Sequence, residues 1–273
     1  MMKILITAAN SPLGRVLSDH FGKQDFYKVI KTVRKKLSGD FLKCDVTKHK
    51  DLEEIILSEK PDIIFHLAAS HTGQFEKDYQ VNTLSAKSIF DIILNKKLKS
   101  RVILIGSASE YGIVKDEDNP ISEEQVLKPA TIYGLTKSYQ TLLGQYYAQK
   151  HGLDIVIARI FNLDIPGLSD RLFIGNLQKQ IELIEKGESS EIKLGDLSSI
   201  RDYIGEEQLI DQINKIMTKG ISGEVYNIGS GKPTKLETVI QNKIPYKINI
   251  KNTKNMQYKR YNIYSNVDKL NSI

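Results

Sequence analysis

From Lys3 to Ile160 the chain alternates short apolar runs with longer amphipathic stretches, and that alternation restricts the fold more than any other feature. The apolar runs are 3–7, 28–33, 62–67, 101–105 and 154–160; the stretches between them, near 12–21, 49–59, 75–95 and 130–150, carry apolar residues at helical spacing. Strands this apolar need cover on both faces, and connections long enough for a helix join parallel neighbours. The pattern predicts an α/β fold, a doubly wound parallel sheet. After Ile160 it changes to a loop rich in Asp, Pro and Gly (163–170), a helix near 173–186, a strand at 191–194, a helix near 206–218, a strand at 225–228 and a tail. With no internal repeat or low-complexity linker, the expected division is a unit over 1–165 and a smaller lobe, mainly 166–273, with segments near 206–229 free to pack back onto the first.

A chain of 273 residues, 40% of them hydrophobic, can bury one large core or a core and a small lobe. No apolar run approaches the roughly 20 residues that span a bilayer, and Met1-Met2-Lys3 passes into a strand without a signal-peptide pattern. The expectation is a cytoplasmic protein without a membrane partner. The lone cysteine, Cys44, permits no internal disulfide and reads as a packed thiol. No metal is expected either, since His66 and His71 lack a carboxylate at ligand spacing. A net charge of +6 can attract an anion. The lysines, however, are scattered through surface-type segments without interleaved aromatics, so no nucleic-acid partner is expected.

In a doubly wound sheet, ligands bind beyond the carboxyl ends of the strands where strand order reverses, and the first strand-to-helix turn offers N–H groups to a diphosphate. Here that turn is Thr7-Ala8-Ala9-Asn10-Ser11-Pro12-Leu13-Gly14. Ser11 suits an N-cap and Pro12 a first helical position. Of the glycines expected at 8, 11 and 14, only Gly14 is present, so this segment alone reads equally as a phosphate cradle or an ordinary turn. A second constellation favours the cradle. Gly106-Ser107-Ala108-Ser109 places hydroxyls just past the fourth strand, and a helix opening near Ala130 carries Tyr133 and Lys137 four residues apart, on one face. A nearby ammonium favours the phenolate, drawing tyrosine from its ordinary pKa of about 10 toward neutrality, which makes an acid–base pair. The second strand ends Lys31-Thr32-Val33-Arg34-Lys35-Lys36, with no carboxylate for the 2′-hydroxyl of NAD. Arg34 either stands where a 2′-phosphate would lie or belongs to an ordinary basic surface loop; the expected cofactor is NADP, with NAD possible.

In these motifs the chain resembles the extended short-chain dehydrogenase/reductases that modify nucleotide-sugars, Rossmann-like proteins with a C-terminal substrate-binding lobe. The resemblance runs over about residues 3–240. It assigns Thr7, Ala8, Asn10, Ser11, Leu13 and Gly14 to the cofactor turn, with Arg34. Cys44-Asp45-Val46 falls on the adenine-contacting segment, with Asp45 and Val46 as contacts, and Leu67, Ala68 and Ala69 on the third-strand end beside the cofactor. Ser107, Tyr133 and Lys137 match the catalytic positions; Tyr133 and Lys137 also face the cofactor, and Ser107 and Ser109 the substrate. Asn162 and Arg201 fall where the family grips the sugar-nucleotide diphosphate. A family Asn also matches Asn82, which reads better as a buried helix-to-loop hydrogen bond.

Asn119–Glu124, Pro129–Lys137 and Gly223–Gly231 are most similar to the reductases of GDP-4-keto-6-deoxymannose. The resemblance therefore implies reduction of a 4-keto, 6-deoxy nucleotide-sugar, GDP-linked, in deoxysugar or surface-polysaccharide synthesis, by a homodimer pairing through the helices near 75–95 and 130–150. A nucleotide-sugar 4-epimerase is the alternative, and a non-catalytic dinucleotide sensor a third reading. A 4,6-dehydratase is disfavoured, because its Asp-Glu pair would stand at Ala108 and Ser109, and Glu110 comes one place too late.

Overall fold

A computed structural model describes residues 1–35, 37–195, 197, 199–244, 249–252 and 262–273; Lys36, at the end of the basic run, lies outside them. In chain order the elements are β1 (Met2–Ile6), α1 (Pro12–Gly22), β2 (Tyr27–Val33), β3 (Phe41–Lys43), α2 (His49–Glu59), β4 (Ile63–His66), α3 (Phe75–Tyr79), a π turn (Gln80–Leu84), α4 (Ser85–Asn95), β5 (Arg101–Ser107), α5 (Ile132–His151), β6 (Ile155–Ile160) and β7 (Asn162–Asp164). Then come α6 (Phe173–Glu185), β8 (Glu191–Leu194), β9 (Ile200–Arg201), β10 (Tyr203–Gly205), α7 (Glu206–Lys219), β11 (Val225–Ile228), β12 (Thr234–Lys235), α8 (Leu236–Lys243), β13 (Asn249–Asn252) and α9 (Asp268–Asn271).

Seven strands form one parallel sheet in the order β11-β6-β5-β4-β1-β2-β3. The chain moves outward from β1 to β3, then restarts at β4 and moves the other way. The reversal lies between β1 and β4, which places a crevice beyond their carboxyl ends. β4, β6 and β11 are buried along their whole length. Leu13, Leu17 and Phe21 of α1 and Leu209, Ile213 and Ile216 of α7 cover one face; Leu52 and Ile56 of α2 and Ile89 and Phe90 of α4 cover the other.

The expected strands and helices of the first two-thirds appear with small shifts at their ends. β3 was not expected: three partly exposed residues on the sheet edge carry no apolar run for sequence reasoning to find. The single helix expected near 75–95 is continuous but widens through the π turn. The residues after 165 divide. α7 and β11 join the main sheet, β11 pairing with β6, while Ile174 and Leu177 of α6, Ile192 and Leu194 of β8 and Val239 and Ile240 of α8 form a separate apolar cluster.

Candidate active site

The turn after β1 is organised by side chains that pin its two flanking strands. Thr7 donates its N–H to the Phe65 carbonyl (3.0 Å), and its Oγ1 accepts from the Leu67 and Ala68 amides (2.9 and 3.2 Å). Burial, with the Lys137 charge adding to it, pushes His66 down to about 3, so the ring is neutral. Its tautomer follows from its neighbours. Ser85 Oγ donates to the Val81 carbonyl (2.5 Å) and so accepts from His66 Nε2 (2.7 Å), which leaves Nδ1 to accept from the Thr7 hydroxyl (3.1 Å).

Ala8 sits at φ +50°, in the left-handed region that suits the glycine it replaces. The turn therefore holds a glycine-like geometry with alanine in its first position. Ser11 caps α1 by accepting from Gly14 N (3.1 Å). A Cβ on Gly14 would lie 2.7 Å from Ala8 O, Ala9 Cα and Ala9 O, which accounts for this glycine alone being retained. Asn10 is exposed beside the cap and Leu13 is buried in the first turn.

Arg34 is exposed past the end of β2. Beyond β3, burial would raise the Asp45 carboxyl, but Thr47, through its hydroxyl (2.7 Å) and amide (3.1 Å), and the positive Lys48 and Arg34 hold it below its ordinary range. Val46 packs against the second core, and burial with the Asp51 and Asp45 charges pushes the Cys44 thiol up to about 12, well away from a reactive thiolate. Ala69 is exposed at the carboxyl end of β4.

Ser107 closes β5 with its Oγ accepting from the Ser109 amide (3.2 Å), Ser109 is exposed two residues on, and α5 places the Tyr133 hydroxyl beside the Ser107 side chain. Two local features set this approach. Thr131 caps α5 by accepting from Gly134 N (3.0 Å), and a Cβ on Gly134 would stand 2.3 Å from Ser109 O, so only glycine lets the helix start close against the Ser107 turn. The π turn holds the same helix from its other side. Asn82 Nδ2 donates to Thr136 Oγ1 (2.9 Å) and Thr83 Oγ1 to the Thr136 carbonyl (2.8 Å). Asn82 also joins the Ser70 loop, accepting from its amide (2.7 Å) and donating to its carbonyl (2.9 Å). That is the helix-to-loop role expected of it.

Lys137 is 1% exposed. Its Nζ donates to the Ile105 carbonyl and to Gln140 Oε1, both at 2.5 Å. Burial pushes the Tyr133 hydroxyl up to about 12, opposed by its bond with Ser107 and reinforced by the Glu110 charge; burial lowers Lys137 to about 8, with Glu110 opposing. The expectation of a tyrosine drawn toward neutrality is therefore corrected for this arrangement: the cost of burying a phenolate, with the Glu110 charge adding to it, outweighs the lowering by Ser107. A tyrosine raised in this way is a proton donor. His71, exposed on the loop after β4, packs its ring 4.9 Å from that of Tyr133.

Asn162 opens β7, and both its backbone N–H and its Nδ2 donate to the Asp202 carbonyl (3.2 and 3.0 Å). Arg201 lies on β9, which pairs with β12, not on β10, the strand paired with β7, and its Nη1 donates to the Ile200 carbonyl (3.0 Å). Asp202 anchors the segment: its carboxylate accepts from the amides and hydroxyls of Ser230 and Ser265 and from the Gly231 amide. Sequence reasoning assigned no role to Asp202, Glu110 or Gln140, since their partners (Ser230 and Ser265, Thr141 and Arg159, and Lys137) are brought to them by the fold and leave no motif in the sequence.

The Rossmann-like sheet, the turn at its reversal point and the Ser107–Tyr133–Lys137 group together define a nucleotide-dependent enzyme class. The chain belongs to the NAD dependent epimerase/dehydratase family, whose model matches residues 4–229. It is 25% identical over 189 residues, 67% of this chain and 62% of the relative, to a GDP-6-deoxy-D-mannose reductase of Pseudomonas aeruginosa. It is 28% identical over 236 residues, 84% of this chain and 75% of the relative, to a GDP-6-deoxy-D-talose 4-dehydrogenase of Aggregatibacter actinomycetemcomitans. The fold matches that of RMD from Pseudomonas aeruginosa complexed with NADPH, with a TM-score of 0.88 at 19% identity, covering 100% of this chain and 92% of that one.

Proposed function

We propose that this enzyme reduces a 4-keto, 6-deoxy nucleotide-sugar, GDP-linked, with NADPH. The observation that carries the reading is the placing of the first turn of α5, with Tyr133, against the Ser107 turn at the carboxyl end of β5, with Ala108 and Ser109 in the two positions after Ser107. Glu110 is 0% exposed and paired with Arg159, so it cannot reach a sugar ring, and no carboxylate stands after Ser107 to eliminate water. The GDP-sugar relatives support the choice of substrate, and the NADPH complex the choice of cofactor.

The residues fit a nicotinamide dinucleotide. The left-handed Ala8 and the first turn of α1 present backbone to a diphosphate, Leu67 to Ala69 and Val46 supply the walls, and Arg34 can take a 2′-phosphate. That cofactor supplies the hydride for C4 of the sugar. Tyr133 delivers the proton to the C4 oxygen, Ser107 donates a hydrogen bond to the same oxygen, and the Lys137 cation favours the phenolate left behind. Asn162 and Arg201 hold the substrate diphosphate, and Ser109 lines the sugar side.

We further propose a homodimer. Leu84 of the π turn and Tyr139, Leu142 and Tyr146 of α5 are exposed along a shallow groove that a second copy would cover.

Incubation with GDP-4-keto-6-deoxymannose and NADPH should oxidise one cofactor per sugar reduced, and Tyr133→Phe should lower kcat at least about a hundredfold. Interconversion of a hydroxyl sugar nucleotide with no net change in nicotinamide absorbance, and no reduction of the keto sugar, would identify an epimerase instead.

A further inference from the structure

Beneath the Ser107 turn lies a buried charge pair for which the proposed reaction assigns no role. Glu110 is 0% exposed and the Arg159 side chain 3%. Removing two charges from water is costly before they pair, so such a pair is weak evidence of stability, and its geometry has to account for it. The carboxylate is fully used. Oε1 accepts from the Ser107 amide at 2.7 Å. Oε2 accepts from Thr141 Oγ1 at 2.9 Å and from Arg159 Nε and Nη2 at 3.1 and 2.9 Å. The site is also shaped around it, since a Cβ on Gly106 would lie 2.6 Å from Oε1. Arg159 is held in turn by the Tyr111 hydroxyl (3.0 Å), which donates to Asn227 Oδ1 (2.6 Å) on β11.

We infer that Glu110 is a positioning residue: one carboxylate oxygen fixes the backbone of Ser107 at the end of β5, and the other ties in α5, the helix that carries Tyr133 and Lys137, through Thr141. Ser107 and Tyr133 approach the same substrate oxygen from different elements, and Glu110, which belongs to neither, is bonded to both; Lys137 of α5 ties the same two elements through the Ile105 carbonyl of β5. A displacement of either element by about 1 Å costs as much as a hundredfold in rate in well-ordered sites. The inference rests on Ser107 acting in the reaction proposed above.

The test compares two variants that both remove the buried charges. Glu110→Gln with Arg159→Met keeps an acceptor for the Ser107 amide; Glu110→Leu with Arg159→Met does not. The kcat of the Leu variant should fall about tenfold or more below that of the Gln variant, with little change in KM for the sugar. Adding Ser107→Ala should then cost less than about threefold in the Leu variant and its full factor in the Gln variant, because a mispositioned hydroxyl has little left to lose. Equal kcat in the two variants, or an equal cost of Ser107→Ala in both, overturns the inference. A second measurement uses the unaltered protein labelled with ¹⁵N-serine. The Ser107 amide proton should resonate well downfield and exchange slowly, as befits a charge-assisted bond to a buried carboxylate. Rapid exchange overturns the inference even where neither double variant folds. Since this readout needs no sugar nucleotide, a protected Ser107 amide in a protein that reduces no keto sugar would count against the reaction and not against the clamp.

Discussion

Ala8 holds a backbone conformation that costs a residue with a Cβ about 1 kcal/mol relative to glycine, part of which is offset by glycine's greater freedom when unfolded. Ala8→Gly should therefore raise stability by about 0.5 kcal/mol in urea titrations, with unchanged fold. Gly14→Ala is the opposite case: its Cβ would press on Ala8 and Ala9 backbone, and a loss of about 2–3 kcal/mol is expected, with weaker cofactor binding by fluorescence titration. Sequence spacing identified the turn. It could not reveal that Ala8 adopts glycine's angle, because the angle is enforced by the Thr7 and Ser11 bonds around it. His66 makes a further prediction. Its folded value near 3 lies below the ordinary 6.5, so between those values the unfolded chain binds more protons, stability rises with pH, and it is lost on acidification through that window. The full effect is on the order of a few kcal/mol. Urea midpoints measured from pH 7 down to about 4.5 should fall for the unaltered chain and fall less for His66→Asn; parallel curves would show that the ring is not the buried neutral group described.

At the scale of elements, the site depends on how closely α5 starts against the turn after β5. Gly134→Ala would place a methyl 2.3 Å from Ser109 O, forcing the helix start away and separating Tyr133 from Ser107. We expect kcat to drop by about a hundredfold, the scale of a misplaced proton donor, with far-UV circular dichroism unchanged. Full activity in that variant would show that the contact does not set the geometry. The Tyr-x-x-x-Lys spacing was legible because helix periodicity puts both residues on one face. The direction of the tyrosine's shift was not, since it depends on burial and on the Glu110 charge. The π turn was equally silent in sequence. An inserted bond of wider ring is chosen by tertiary partners, here Thr136 and Ser70, and the residues that form it look like any helix. β3 escaped because it is three residues long, and Phe41-Leu42 is too short an apolar pair to read as a strand.

For the whole molecule, the groove along α5 tests the proposed assembly. Leu142→Asp, at an exposed position, should leave the fold intact and shift a dimer to a monomer on size-exclusion chromatography; an unaltered chain that already elutes as a monomer would reject the homodimer. The sheet order has a further consequence for the growing chain. One edge of β6, a strand buried along its whole length, is closed by β11, and residues 161–224 must be made between them. At 5–20 residues per second the ribosome takes about 3 to 13 seconds to cross that interval. During those seconds an apolar strand edge stands open, with free N–H and C=O groups able to pair with a neighbouring nascent chain. In the cell, that makes this protein a candidate for chaperone protection while it is being translated, and slowing translation between β6 and β11 should lower its soluble yield more than slowing it before β1.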